Sequence, residues 1–140
     1  TVSPEDAFET VFVLVNPPYL LRMRTEIALT VGSRDSLPGW ILIEKDTIFV
    51  QIGADATVLC LAQSPTLATT LIDHPAPVAL HVKIIAQRLS KLCPGKQVFV
   101  STDQVEEESN LFWADVGRQL KDKIEEIKME DTVAHLSIID

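Results

Sequence analysis

The 140-residue sequence lacks the short motifs that mark common active sites. It contains no glycine-rich dinucleotide or phosphate-binding loop, no GxSxG nucleophile motif and no HExxH zinc motif. Its three histidines, His74, His81 and His135, stand in unrelated segments, and a lone imidazole does not hold a metal. The sequence therefore predicts no catalytic, cofactor or metal site, and we expect a protein that is not an enzyme.

Cysteine and basic residues are both scarce. The two cysteines, Cys60 and Cys93, lie far apart and fit no CxxC or zinc spacing, so we predict two reduced, buried thiols. The chain has 20 acidic and 12 basic residues, which gives a formal net charge of −8. This balance argues against binding of nucleic acid, because a protein that contacts phosphates needs a basic face.

Long apolar runs are missing, although apolar residues make up 46% of the chain. The longest runs, VFVLV and VLCLA, are strand-sized and fall well short of the roughly 18–20 residues of a membrane helix. We therefore expect no membrane association. Because the sequence also shows no signal-peptide pattern, we expect an intracellular protein, cytoplasmic with the nucleus as a second location. Small domains cannot bury all their apolar surface, so we predict one domain over residues 1–140 with a sizeable protein interface.

Strand patterns dominate the first half of the chain. Residues 8–15 are rich in aromatic and β-branched side chains, and residues 21–31 alternate with period two. The segment GSRDSLPG, residues 32–39, predicts a loop. Further strands are predicted over residues 40–43 and 47–53, which form a hairpin, over residues 56–63, where a short helix is the alternative, and over residues 66–73.

The pattern changes to helical spacing at Val78. Apolar residues recur at three- and four-residue intervals as far as Cys93, Pro77 suits the first turn, and Pro94-Gly95 ends the helix. Residues 96–101 predict a strand. A second helix begins at Ser109 or Asn110, and its buried stripe is Trp113, Val116, Leu120, Ile124 and Ile127. The tail, residues 132–140, predicts an edge strand or a segment that docks on a partner.

The strands come first, and a helix, a strand and a helix follow. This order predicts an α+β domain, a mainly antiparallel β-sheet with two amphipathic helices packed on one face. The alternation of strands and helices that is typical of a Rossmann fold is missing.

One long stretch, AQRLSKLCPGKQVFVSTDQVEEESNLFWADVGRQLKDKIEEI, resembles the proteasome assembly chaperone 4 family. The matching positions are residues 86–89, residues 96–101, the Ser-Asn pair at 109–110 and the helix that follows. Upstream, TIFVQIGA at residues 47–54 is similar to a family strand that ends in Gly-Ala.

The resemblance implies a non-enzymatic chaperone without cofactors. Such proteins form a heterodimer with a proteasome assembly chaperone 3-like subunit. They promote formation of the α-ring of the 20S proteasome by binding α-type subunits, α5 first, and they leave before the particle matures.

Contact residues do not carry over from this family, because the matching motif is structural. From their chemistry alone we nominate Arg22, Arg24 and Trp40 as partner-binding residues. The alternative for the arginines is pairing with acidic neighbours across strands. Trp40 is predicted at a sheet edge and Trp113 in the core. Two other functions stay open, a small dimerising adaptor in trafficking or signalling and an enzyme with an unrecognised site.

Overall fold

The computed structural model describes residues 24–31 and 36–139, with side chains up to residue 130. These residues form six strands and two helices in the predicted order, so the predicted α+β class is confirmed. In chain order the elements are β1 (Thr25–Leu29), β2 (Leu37–Ile43), β3 (Thr47–Ile52), β4 (Val58–Ser64), β5 (Leu67–Ile72), α1 (Val78–Leu92), β6 (Gln97–Thr102) and α2 (Asn110–Ile139). The strand predicted over residues 8–15 and the first part of that over residues 21–31 lie outside the described residues.

The six strands form one mixed sheet in the order β1-β2-β3-β6-β4-β5. All neighbouring strands are antiparallel except β3 and β6, which run parallel. The sheet is therefore mainly antiparallel, as predicted. The last strand in sequence, β6, lies between β3 and β4 and joins two antiparallel groups of strands.

The predicted hairpin at β2 and β3 is confirmed, and its turn is closed by Glu44 N–H, which donates to Thr47 O over 2.8 Å. The loop predicted over residues 32–39 is wrong in its last three residues, because Leu37, Pro38 and Gly39 belong to β2. Pro38 has no N–H, but its carbonyl still accepts a hydrogen bond from Gly53 N over 2.7 Å. A Cβ at Gly39 would overlap a backbone carbonyl of β3, so glycine is required there by packing.

The two helices begin and end largely where the sequence predicts. α1 stops before Gly95, whose φ of +83° is unfavourable for other residues. At the start of α2 the Ser109 Oγ accepts a hydrogen bond from Phe112 N over 3.3 Å, which confirms the predicted N-cap. The edge strand predicted at residues 132–140 is wrong, because α2 continues to Ile139. No glycine or proline follows Gly117 to interrupt it.

The main core lies between the sheet and the two helices, on one face of the sheet. Trp113, Val116, Leu120 and Ile124 are buried as predicted, and Ile127 is half-buried. Helix α1 contributes Val78, Val82, Ile85, Ala86 and Leu89 to the same core. Both cysteines are free and buried, as predicted.

Candidate protein-interaction surfaces

The described residues offer little for chemistry. Among residues 24–31 and 36–139, no three His, Cys, Asp or Glu side chains are grouped closely enough to hold a metal ion. No helix in the same ranges combines the length and the apolar character needed to cross a bilayer. Two surfaces of the described residues are the candidate sites.

The first surface is the outer face of the sheet, the side turned away from α1 and α2. Cross-strand register places two rows of side chains on it, since residues opposite one another point to the same face. One row runs Trp40, Gln51, Ser101, Leu59, and the other runs Leu42, Phe49, Phe99, Leu61. Phe49 and Phe99 stack with ring centroids 4.5 Å apart. The apolar side chains of this face form clusters separate from the main core.

Two polar side chains of the outer face bond to each other. The Ser101 hydroxyl donates to Gln51 Oε1, and Gln51 Nε2 donates to Asp55 O over 2.8 Å. Both side chains are buried, and burial without partners would destabilise the fold. The pair therefore ties β3 to β6 and closes the Gly53–Asp55 turn.

The nominated residues Arg24 and Trp40 are in contact on the outer face. The Arg24 guanidinium lies 5.2 Å from the centre of the Trp40 ring, and Arg24 Nε is 2.8 Å from Glu26 Oε1. For Arg24, an acidic partner is thus present, but it is the near neighbour in sequence, Glu26, rather than a residue across strands. Glu26 is the β1 partner of Trp40, so Arg24, Glu26 and Trp40 form one cluster. Glu26 is exposed, and the other two side chains are half-buried.

The sequence-based placement of Trp40 at a sheet edge is wrong. Trp40 lies in β2, which is flanked by β1 and β3. β1, which lies within residues 21–31, pairs with the edge of β2 that β3 leaves free. The alternation of apolar residues predicts a strand there, but it does not show which strand is its neighbour. Arg22 lies outside the described residues, so its nomination stays a prediction.

The second surface is the interhelical groove, defined here as the two adjoining cavities between α1 and α2. The first encloses about 270 Å³ and is lined by His81, Ile84, Ile85, Arg88, Asn110, Trp113 and Ala114. The second encloses about 170 Å³ and is lined by Arg88, Leu89, Leu92, Ala114, Gly117, Arg118 and Lys121. The sequence did not predict this groove, because helical periodicity does not reveal the spacing between two helices.

The two thiols do not form a reactive site. Burial raises the pKa of the Cys60 thiol, although a hydrogen bond with Thr70 works in the opposite direction. Burial likewise raises the pKa of the Cys93 thiol against the influence of Lys128 and Lys96. A higher pKa leaves less thiolate at neutral pH, so both cysteines serve as small core residues.

Comparison with known proteins shows a similarity in fold. No protein family model and no curated protein matches the chain. Among solved structures, the fold is similar to a chain in the crystal structure of a novel chaperone complex for yeast 20S proteasome assembly, with a TM-score of 0.50 and 15% sequence identity. The similarity covers 77% of this chain and 98% of the yeast chain, so nearly the whole of that chain has its fold reproduced here.

Proposed function

We propose that this protein is a non-enzymatic chaperone for assembly of the 20S proteasome. The observation that carries the proposal is the fold similarity to a chain of the yeast 20S assembly chaperone complex, which extends over 98% of that chain. The resemblance of residues 86–127 to the proteasome assembly chaperone 4 family supports the same function from the sequence. In this proposal the chain acts in the cytoplasm and the nucleus.

The proposed working form is a heterodimer with a proteasome assembly chaperone 3-like subunit. This dimer promotes α-ring formation by binding α-type subunits, α5 first, and leaves before the particle matures. The mechanism is surface complementarity, in which one apolar surface holds the partner chaperone and a more polar surface contacts the ring and releases it. The net charge of −8 suits a ring surface that offers basic side chains.

We assign the partner chaperone to the part of the outer face that carries Arg24 and Trp40. Tryptophan and arginine are the residues most often found where an interface gains most of its affinity. Trp40 is half-buried, and the Arg24 guanidinium over its ring keeps the indole in one orientation. An ordered aromatic side chain loses little conformational entropy when a partner covers it.

A gentle affinity purification from the protein's own cells tests the proposal. The tagged chain is captured, and the recovered proteins are identified by mass spectrometry against a control with the tag alone. We expect one small partner chaperone together with α-type subunits, α5 among them, and no mature β-type subunits. Recovery of neither class would overturn the proposal. Recovery of the partner without α-type subunits would overturn the role in α-ring formation alone.

A further inference from the structure

The interhelical groove has a continuous apolar floor. Helices α1 and α2 run in the same general direction because a single strand, β6, separates them in sequence. Ile85 and Leu89 of α1 and Trp113 and Gly117 of α2 form the floor. A Cβ at Gly117 would lie 3.6 Å from Ile85, an ordinary packing distance, so the missing side chain leaves the groove open there.

Every charged side chain that lines the two cavities is basic, although the protein carries a net charge of −8. Arg88 lines both cavities, and both it and Lys121 are exposed. The third cation, Arg118, hydrogen-bonds to Asp115 and lies 4.0 Å from Asp122, at the side of the groove. Basic side chains along an apolar cleft, with no acidic residue among them, favour an acidic ligand.

Apolar side chains remain uncovered beside this basic groove. Ile84 and Ala114 line it and are exposed. At the end nearest the start of both helices, Leu80 is 62% exposed and Leu111 is 83% exposed. Exposed leucine and isoleucine next to an apolar cleft are typical of a surface that another protein covers.

We propose that the interhelical groove binds a helical segment of another protein that is apolar on one face and carries carboxylates beside that face. The lining residues of α2, from Asn110 to Lys121, extend over about 17 Å, or three helical turns, so the bound segment has about 12 residues. Its apolar side chains lie against Ile85 and Trp113, and its carboxylates pair with Arg88 and Lys121. This is the packing of an amphipathic helix in a groove between two others.

The inference goes beyond the proposed function and does not rest on it. The contacts assigned to the partner chaperone lie on the outer face of the sheet, whereas the groove lies on the helical side. A groove that selects acidic helices would be found whatever complex the protein belongs to.

A selection with the full chain as bait tests the inference. The probe is a library of peptides of about 14 residues, in which leucine is fixed at helical spacing and the remaining positions vary freely. We expect the enriched peptides to contain more Asp and Glu than the starting library. Selection without acidic enrichment, or no enrichment of any sequence, would overturn the inference.

Two variants then locate the binding of the best peptide. Arg88→Glu is expected to raise its Kd about fivefold, since an attractive charge becomes repulsive. The matched control is Lys45→Glu, the same charge change at an exposed turn, which is expected to leave Kd unchanged. Ala114→Trp fills both cavities from an exposed position and is expected to abolish binding while the circular dichroism spectrum stays native. Binding that survives Ala114→Trp in a folded protein contradicts the groove as the site.

Discussion

The imidazole of His81 on α1 lies nearly parallel to the indole of Trp113 on α2, with ring centroids 5.9 Å apart and planes inclined by 12°. The indole is fixed further by its Nε1–H, which donates to Glu107 O over 2.8 Å. Phe112 contacts it edge-on, with centroids 4.9 Å apart. Trp113 therefore connects both helices to the loop that precedes α2.

Replacement of Trp113 should be among the most destabilising single changes in the described part of the chain. Because the side chain is only 3% exposed, Trp113→Ala is expected to lower the free energy of unfolding by about 3–5 kcal/mol. Trp113→Phe keeps an aromatic ring but leaves Glu107 O without this donor, so the expected loss is smaller. Urea denaturation followed by circular dichroism measures both.

His81→Ala is the control for this comparison. It removes the stacked ring while leaving the indole buried, and the expected loss is about 0.5–1.5 kcal/mol. Equal losses for Trp113→Ala and His81→Ala would contradict the assignment of Trp113 as the core anchor.

The two glycines with positive φ should respond differently to alanine. Gly53 and Gly95 have φ of +92° and +83°, so alanine strains the backbone at both, by about 1–2 kcal/mol. A Cβ at Gly53 would also overlap the Asp103 carboxylate, whereas a Cβ at Gly95 meets open space. We expect Gly53→Ala to lower the free energy of unfolding more than Gly95→Ala does.

The extra cost at Gly53 has an identifiable source. Asp103 Oδ2 accepts hydrogen bonds from Ala54 N at 3.0 Å and Asp55 N at 3.2 Å, and the added Cβ displaces this carboxylate. In an Asp103→Ala background, Gly53→Ala should cost no more than Gly95→Ala does alone. Strictly additive effects of Gly53→Ala and Asp103→Ala in urea denaturation would show that the overlap contributes nothing.

The buried thiols should make the fold less stable in alkali. Burial raises the pKa of Cys60 and of Cys93 above the ordinary value of 9.0. At a pH below the pKa of these thiols in the unfolded chain, they make their full contribution to the free energy of unfolding. Above that pH, the thiols of the unfolded chain lose their protons while those of the folded protein stay protonated, which favours unfolding. The free energy of unfolding therefore falls as the pH rises from the unfolded pKa to the folded pKa, by no more than about 1.4 kcal/mol per pH unit for each thiol.

Urea denaturation between pH 7 and pH 10.5, compared with the Cys60→Ala/Cys93→Ala variant, isolates this contribution. Because the two proteins differ only at the cysteines, the informative quantity is the difference between their two pH profiles. The variant is expected to lose less stability over this range. Parallel profiles would contradict the link between thiol burial and alkaline unfolding.

The contact between Arg24 and Trp40 gives a direct test of the proposed partner surface. Trp40→Ala and Arg24→Glu are each expected to reduce recovery of the partner chaperone at least severalfold in the affinity purification. The controls are Leu67→Ala at the exposed start of β5 and Lys45→Glu at the β2–β3 turn, neither of which should change recovery. Unchanged recovery from Trp40→Ala and from Arg24→Glu would remove the assignment of this surface.

Local sequence signals were sufficient to predict most elements of the described fold. The Ser109 cap, the Pro94-Gly95 stop and the short turn between β2 and β3 each act within a few residues, so they can be recognised without tertiary contacts. The errors came where packing overrides a local preference. Pro38 and Gly39 indicate a loop, yet β1 and β3 hold them in a strand, and the glycine is needed because a carbonyl of β3 approaches closely.

The surfaces were harder to predict than the fold. Trp40 and Arg24 could be nominated from their chemistry, but their contact depends on the β1–β2 register, which pairs Trp40 with Glu26. The groove depends on how closely α1 and α2 approach each other, and no periodicity within one helix contains that information. Arg88 looks like an ordinary solvated residue until the helix opposite it is known.

The central position of β6 determines when the sheet can be completed during synthesis. Until Gln97–Thr102 has left the ribosome, β3 and β4 each present an unpaired edge, because β6 is the strand that joins them. The edge at β3 belongs to TIFVQI, an apolar and β-branched segment of the kind that pairs with other chains. A nascent chain that pauses before residue 97 is therefore at its most exposed to aggregation. Aggregation of the nascent chain should therefore be lowest when the ribosome translates the segment from β4 to β6 without a pause.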